Sequence, residues 1–416
     1  MSAPDVVIVG AGAVGAATAY ELTQRGASVA VLERSHVARG CSYGNAGLIC
    51  PSHAEALANP AAIRSGLAWM TRRDSPFHVR PRPSLLPWLA RFGLAARPSR
   101  SAAATATLRR LAAASLELHE RLARSGLPTS FERRGILSVF ESQAAFAAAE
   151  RNGAQELTAD AARRIEPALA PAIAGALFHA DEGHCDPGRY VAALLEAAQE
   201  GGAELRNGVE VLGLRAAGGR IERLDTTAGP LRAGAVVLAA GTWTRRLARD
   251  VGVHVPLEGA KGYHVEIPGG ALRAGIPIYM EEARVIATPL NGRLRLAGTL
   301  ELAGVDMRVD PVRLEALGRA ARRTLALPRD SRVVGVWRGL RPCTPDGLPA
   351  IGPVLDNLFL ATGHAMLGIT LAPATAEMVA SLLTGTRPAY DPRPFDPSRF
   401  AAIWGTMHMW RRKWRR

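Results

Sequence analysis

The sequence predicts an α/β fold whose second lobe is α+β. Three observations lead there. Residues 5–33 read as strand, glycine turn, helix and second strand in unbroken succession. Buried strand and helix patterns return near residues 235–241 and 358–383. Between them, residues 262–298 carry the alternating apolar pattern of an antiparallel sheet. Together they describe a Rossmann-like nucleotide-binding lobe built from separated segments, with an antiparallel-sheet lobe inserted into it.

Residues 5–9 form a short apolar strand. Gly10-Ala-Gly-Ala-Val-Gly15 turns the chain into a helix over 16–25, which stops at Gly26. Residues 28–32 make the second strand, ending at Glu33, and a glycine-rich loop covers 40–48. Residues 54–99 are rich in Pro and Arg, with short helices around Trp69 and Trp88, and 101–125 read as one long helix. Strands are expected near Phe131 and Leu137, then a helix from Asp186 to Glu200, then strands near Val209 and Ile221. Residues 235–238 form a buried strand that runs into Ala239, Ala240 and Gly241. The alternating segments 262–267, 277–280, 285–288 and 294–298 are crossed by a helix over 311–326. Strands 333–340 and 358–361 and a helix over 367–383 follow. The expected division gives 1–53, 155–254 and 332–390 to the nucleotide lobe. It gives 54–154 and 255–331 to the substrate lobe and 391–416 to a basic tail.

Composition excludes several classes. Of 416 residues, 48% are hydrophobic and 21% charged, unlike a disordered chain. No apolar run approaches the roughly 18–20 residues a membrane span needs, and the opening residues lead us to expect no secretory signal. Four cysteines (Cys41, Cys50, Cys185, Cys343) without a CxxC pair predict neither a disulfide framework nor a zinc site. A reducing cytoplasm is the expected location. Lys and Arg number 51 against 37 Asp and Glu, a net charge of +14, and lysine occurs only at Lys261 and Lys413. The arginines are scattered rather than gathered into a stripe with stacking aromatics, so nucleic acid is not an expected partner. A basic surface still attracts anionic small molecules and lipid.

Each glycine of the turn has a geometric purpose. Gly10 permits the tight exit from the strand, Gly12 lets the backbone approach a pyrophosphate, and Gly15 lets helix and strand pack closely. The helix then presents free N–H groups and its positive dipole end to phosphates, which puts Ala13 and Val14 at the ligand. Glu33 is placed to accept hydrogen bonds from ribose hydroxyls, with Arg34 beside it. This pattern fits FAD or NAD equally.

Four blocks decide between them: VVIVGAGAVGAATAYELTQRGASVAVLER, CSYGNAGLICPSH, VVLAAGTWT, and WRGLRPCTPDGLPAIG with NLFLATGHAMLGITLAPATAEMVASLL. Over residues 6–385 the chain resembles the flavoproteins of the D-amino acid oxidase superfamily. It is most similar to the bacterial D-amino acid dehydrogenase branch, which includes D-hydroxyproline dehydrogenases. The resemblance implies non-covalent FAD, with Cys343 a plain thiol. It places Ser42, Asn45, Gly47 and Leu48 under the isoalloxazine ring and adds Val209, Ala240, Gly241 and Gly339 to the cofactor set. Gly363, His364, Met366, Leu367, Gly368, Ile369 and Thr370 would open the last helix toward the flavin N1/C2 edge. There the helix dipole steadies reduced flavin. Met366 stands where related glycine oxidases carry a second arginine, which implies a more apolar pocket.

The resemblance also assigns Arg341, in Gly339-Leu-Arg-Pro342, to the substrate carboxylate, which a planar guanidinium matches bidentately. Tyr279 would stand near that carboxylate, and His53 would meet a polar substituent. The implied reaction oxidises the Cα–N bond of a D-amino acid, D-proline and D-hydroxyproline among the candidates. Hydride passes to flavin N5, an imino acid forms, and oxygen or a quinone reoxidises the flavin. Two alternatives stand beside it: a sarcosine-, glycine- or glyphosate-type oxidoreductase, and a non-catalytic FAD-binding subunit. Trp404, Trp410 and Trp414 interleave with basic residues at the C-terminus, a mix suited to peripheral contact with the inner face of an anionic membrane.

Overall fold

The computed structural model describes residues 4–36, 40–69, 75–270, 272, 275–327 and 331–403. The Trp/Arg tail that begins at Trp404 lies outside these described residues. Val6–Val9 is an inner strand of a six-stranded sheet. The order is Ala350–Leu355, Leu358–Thr362, Ala235–Leu238, Val6–Val9, Val29–Glu33 and Glu204–Asn207. Only the first pair is antiparallel. Val7 and Ile8 are both fully buried, as strands covered on two faces must be. Helices Ala13–Gln24, Pro98–Arg124, Pro187–Glu200 and Gly368–Thr384 share one core on the first face. On the second face Leu214 and Leu224 of a three-stranded sheet pack against Val7 and Val236. Local chemistry sets the helix ends. The Asp186 carboxylate accepts from the Gly188 and Arg189 N–H groups, with Pro187 at the first position. Gly385, at φ +70°, closes Gly368–Thr384.

The second lobe is built on a large sheet. Its order is Gly335–Cys343, Glu258–Pro268, Arg293–Leu302, Val285–Leu290, Ile278–Met280, Ile136–Phe140, Gly175–His179 and Gln155–Thr158. Phe77–Val79 pairs alongside Arg293–Leu302. Helix Pro311–Thr324 covers one face through Leu317 and Ala321, which pack with Tyr263 and Val265. The other face carries Ile286 against Leu48 and Cys50, and His264 stacked on Trp337. One irregularity matters below. Lys261 opposes Glu301 while Tyr263 opposes Gly298, so Thr299 and Leu300 together face Gly262 in a β-bulge.

The sheet is wider than the alternation over 262–298 predicts. Residues 155–158, 175–179 and 335–343, which the expected division gives to the nucleotide lobe, pair here instead. The strand expected near Phe131 does not form. Glu132 makes a single bridge to His184, and Gly135, at φ +86°, turns the chain into Ile136–Phe140. Val209 lies between strands, its N–H donating to the Glu33 carbonyl at 3.0 Å. Among the described residues no helix is long and apolar enough to cross a membrane.

Candidate functional site

An elongated cleft opens where Val6–Val9, Val29–Glu33 and Ala235–Leu238 end, with about 1410 Å³ of empty space counting its open mouth. Gly10, Gly12, Ala13, Val14, Glu33 and Arg34 form one wall. Gly10 holds φ +106°, and a Cβ on it would fall 2.7 Å from the Ala239 carbonyl oxygen. Gly15 sits behind the turn, where a Cβ would fall 1.9 Å from the Gly10 oxygen. Helix Ala13–Gln24 has neither a side-chain cap nor an acid in its first turn. The Ala13 N–H meets Ser42 Oγ at 2.9 Å. The positive end of the helix is therefore directed at the cleft with no acid in its own first turn to neutralise it. The Glu33 carboxylate is braced by backbone. Oε2 accepts from Ala11 N–H and Oε1 from Ser35 N–H, both at 3.1 Å. The Arg34 guanidinium lies 3.8 Å from the Trp243 ring centroid, and both line the cleft.

The facing walls come from Ser42, Asn45, Val209, Ala240 and Gly241, and from Gly339, His364, Gly368 and Ile369. Gly47, Leu48, Gly363, Met366, Leu367 and Thr370 do not line the cleft; they support it. Gly47 holds φ +83° against the Cys185 carbonyl, and Gly363 holds φ +86° against Thr344. Asn45 Nδ2 donates to Met366 O at 3.1 Å, while Met366 as a residue is 46% exposed. Leu367 precedes Gly368–Thr384, a second helix without side-chain cap or first-turn acid, whose start lines the cleft. His364 is buried on Thr375 Oγ1 at 2.9 Å, and burial pushes its pKa down to about 3, so its imidazole is neutral.

Arg341 lies one residue from two members of the wall, Leu340 and Pro342. Its guanidinium lies against Gly262, where a Cβ would fall 1.9 Å from Nη1, and Nη1 donates to Thr299 O at 2.8 Å. Among the described residues no carboxylate pairs with it. Burial lowers its pKa, the neighbouring Cys41 and Cys343 thiols opposing the shift. Arginine nevertheless stays charged at any physiological pH.

Tyr279 and His53 meet elsewhere on the same sheet, their rings edge-on at 4.9 Å. His53 Nδ1 lies 2.8 Å from Ser52 Oγ, and Nε2 lies 3.3 Å from Glu281 Oε1 and 3.2 Å from Ser138 Oγ. Arg284 Nη1 donates to the Tyr279 hydroxyl at 3.2 Å and to Glu281 Oε2 at 3.1 Å. Burial alone would lower the His53 pKa, but the Glu281 hydrogen bond and charge, with Glu182 and Glu55 behind, raise it above the ordinary value. The nearby His179 is driven down to about 4 by burial and by His53.

Sequence reasoning missed the clamp that holds the loop over residues 42–48. Arg295, 1% exposed, donates through Nε and Nη2 to Glu266 Oε1 at 3.1 and 2.8 Å. Its Nη1 reaches the carbonyls of Tyr43 and Asn45, each at 2.7 Å. His264 Nδ1 donates to Gly44 O at 3.1 Å, and its ring stacks on Trp337. Trp337 in turn fills the space a Cβ on Gly44 or Gly339 would need. The one available signal was charged residues inside an otherwise apolar alternation.

A match to the FAD dependent oxidoreductase (DAO) family runs from residue 5 to residue 382. A D-amino acid dehydrogenase of Paramagnetospirillum magneticum is 37% identical over 403 residues, covering 91% of this chain and 95% of its own. D-amino acid dehydrogenase 2 of Ralstonia nicotianae is 35% identical over 426 residues, covering 95% and 100%. Among solved structures, glycine oxidase from Geobacillus kaustophilus superposes with a TM-score of 0.75 at 28% identity, over 96% of this chain and 99% of that one. L-proline dehydrogenase from P. horikoshii, at 21% identity and a TM-score of 0.77 over 96% and 98%, shares the fold.

Proposed function

We propose, for a chain that belongs to the FAD dependent oxidoreductase family, that it oxidises the Cα–N bond of D-amino acids and releases an imino acid. The cleft fits the cofactor. Two uncapped helix N-termini converge on it, and Arg34, Arg246 and Arg338 add positive charge to a wall whose acids are Glu33 and Glu210. Gly10, Gly12 and Ala13 would take the pyrophosphate, Glu33 a ribose, and the Gly368 helix start the isoalloxazine edge. Bound FAD would supply the acceptor for the hydride, and with it the two electrons, that the α-carbon loses, while the amine gives up a proton to solvent.

The reading is carried by Arg341. A desolvated guanidinium whose protein partner is a neutral carbonyl keeps its charge for an incoming anion. It holds the carboxylate of the amino acid, which fixes the direction of the α-hydrogen. Orientation of this kind is the chain's main contribution, because the substrate amine needs only to be neutral for its lone pair to drive the oxidation. The Tyr279–His53–Glu281 group offers hydrogen bonds to a polar substrate substituent, which brings hydroxylated D-proline within the reading. The likeness to a glycine oxidase favours glycine or an N-substituted glycine as the second reading. Oxygen or a quinone would take the electrons on.

The test is anaerobic mixing of the FAD-loaded protein with D- and L-amino acids, D-proline derivatives, glycine and sarcosine, following loss of flavin absorbance. D-amino acids are expected to bleach it, and Arg341→Ala to stop the bleaching with FAD still bound. Bleaching of Arg341→Ala at the wild-type rate overturns the carboxylate assignment. Bleaching by glycine and sarcosine alone selects the second reading.

A further inference from the structure

We propose that Thr299 is a positioning residue for Arg341, and that its backbone rather than its side chain does the positioning. The inference rests on the reading of Arg341 as the carboxylate anchor. Thr299 is the first of the two residues that bulge opposite Gly262, and it holds φ +63°. A β-branched residue is strained in that left-handed region, and such strain persists only where the surroundings enforce it. What the conformation achieves is visible. The extra residue rotates the Thr299 carbonyl out of the ladder and onto Arg341 Nη1, at 2.8 Å.

Two further observations agree. Thr299 is 8% exposed, yet its hydroxyl has no partner among the described residues, so the side chain contributes no hydrogen bond that would explain the strain. Gly262, the residue facing the bulge, provides the bare surface on which the guanidinium lies, and all three atoms nearest its absent Cβ belong to Arg341. A carbonyl is also the right kind of partner. It fixes the plane of a guanidinium without cancelling its charge, as a carboxylate would. The bulge and the glycine together set that plane and leave the other donors of Arg341 to a ligand.

The experiment measures propionate, a carboxylate without an amine, binding to the FAD-loaded protein by the perturbation of flavin absorbance. It also measures KM and kcat for the best D-amino acid. Gly262→Ala lifts the guanidinium off the carbonyl, and deletion of Thr299 closes the bulge. Each is expected to weaken propionate and raise KM together by about tenfold, with a smaller change in kcat and full FAD content. Thr299→Gly keeps the carbonyl and tolerates the dihedral, so it is expected to weaken propionate and raise KM clearly less than Gly262→Ala does. Unchanged propionate binding in the folded Gly262→Ala protein overturns the proposal, whether or not the deletion folds. A Thr299→Gly protein as weak as Gly262→Ala overturns it too, because the side chain would then be the actor. Arg341→Ala is the separate arm. If it also leaves propionate binding unchanged, the anchor reading itself fails; if it alone weakens binding, only the role of Thr299 falls.

Discussion

The Thr370 hydroxyl donates to the Leu48 carbonyl at 2.9 Å, joining residues 322 positions apart. With the Asn45–Met366 bond, it fastens the start of the last helix to the segment over residues 45–48. Thr370→Val keeps the shape and leaves a buried carbonyl without its donor. The expected loss is about 1–3 kcal/mol in denaturant unfolding of the FAD-loaded protein. A variant as stable as wild type would show the bond to be incidental.

Arg295 and Glu266 form a buried pair whose removal is asymmetric. Glu266→Gln leaves the Arg295 charge enclosed without compensation, although Arg295 keeps its bonds to Tyr43 O and Asn45 O. The expected cost is about 3–5 kcal/mol by chemical denaturation. Arg295→Met leaves the Glu266 carboxylate its bond from Arg293 Nη1 at 2.8 Å but removes the loop contacts, so it should cost less stability and weaken FAD binding more, as read by equilibrium dialysis.

Glu281 raises the pKa of His53, and the sign of the linkage follows. A group with a raised folded-state pKa contributes stability that is complete below its unfolded value of about 6.5. That stability fades as pH rises through the folded value. Melting temperatures of wild type and Glu281→Gln should therefore differ most near pH 5–6 and converge toward alkaline pH. A remainder persists from the ion pair of Glu281 with Arg284. A gap that widens with pH would contradict the pairing.

The two glycines Gly12 and Gly15 separate packing from binding. Gly15→Ala drives a Cβ to 1.9 Å from the Gly10 oxygen, a backbone atom that cannot step aside, and should destabilise the fold by about 3 kcal/mol or more. Gly12→Ala meets only Ser42 Oγ, at 3.1 Å. It should fold at near wild-type stability and lose FAD affinity, which flavin titration against unfolding midpoints distinguishes.

The strand, turn and helix at the start of the chain were legible because everything that specifies them lies within thirty contiguous residues. Arg341 is singled out by its Gly-Leu-Arg-Pro setting, its hold on a carboxylate being part of the proposed function, and the structure adds the reason the first glycine is there: Trp337 occupies its surface. The extent of the large sheet was not legible. Alternation marks a strand but not its partner, so nothing in 155–158 or 175–179 announces that they pair beyond Ile136–Phe140. The Arg295–Glu266 clamp was hidden for a related reason. A charged residue on a strand ordinarily faces water, and only the register that sets Glu266 opposite Arg295 turns two charges into one buried pair. Thr299 was invisible to pattern reading, because a bulge shifts the alternation it would be read from.

The parallel sheet has a consequence for biosynthesis. Val6–Val9 emerges from the ribosome before either neighbour, and one of these is Ala235–Leu238, whose own outer neighbour is Leu358–Thr362. Until Leu358–Thr362 is translated, the nascent sheet has an open, apolar edge. Pairings this distant along the chain also form slowly. Chaperone capture of the growing chain, and aggregation when translation stalls before residue 358, follow from the same strand order that later shapes the cleft.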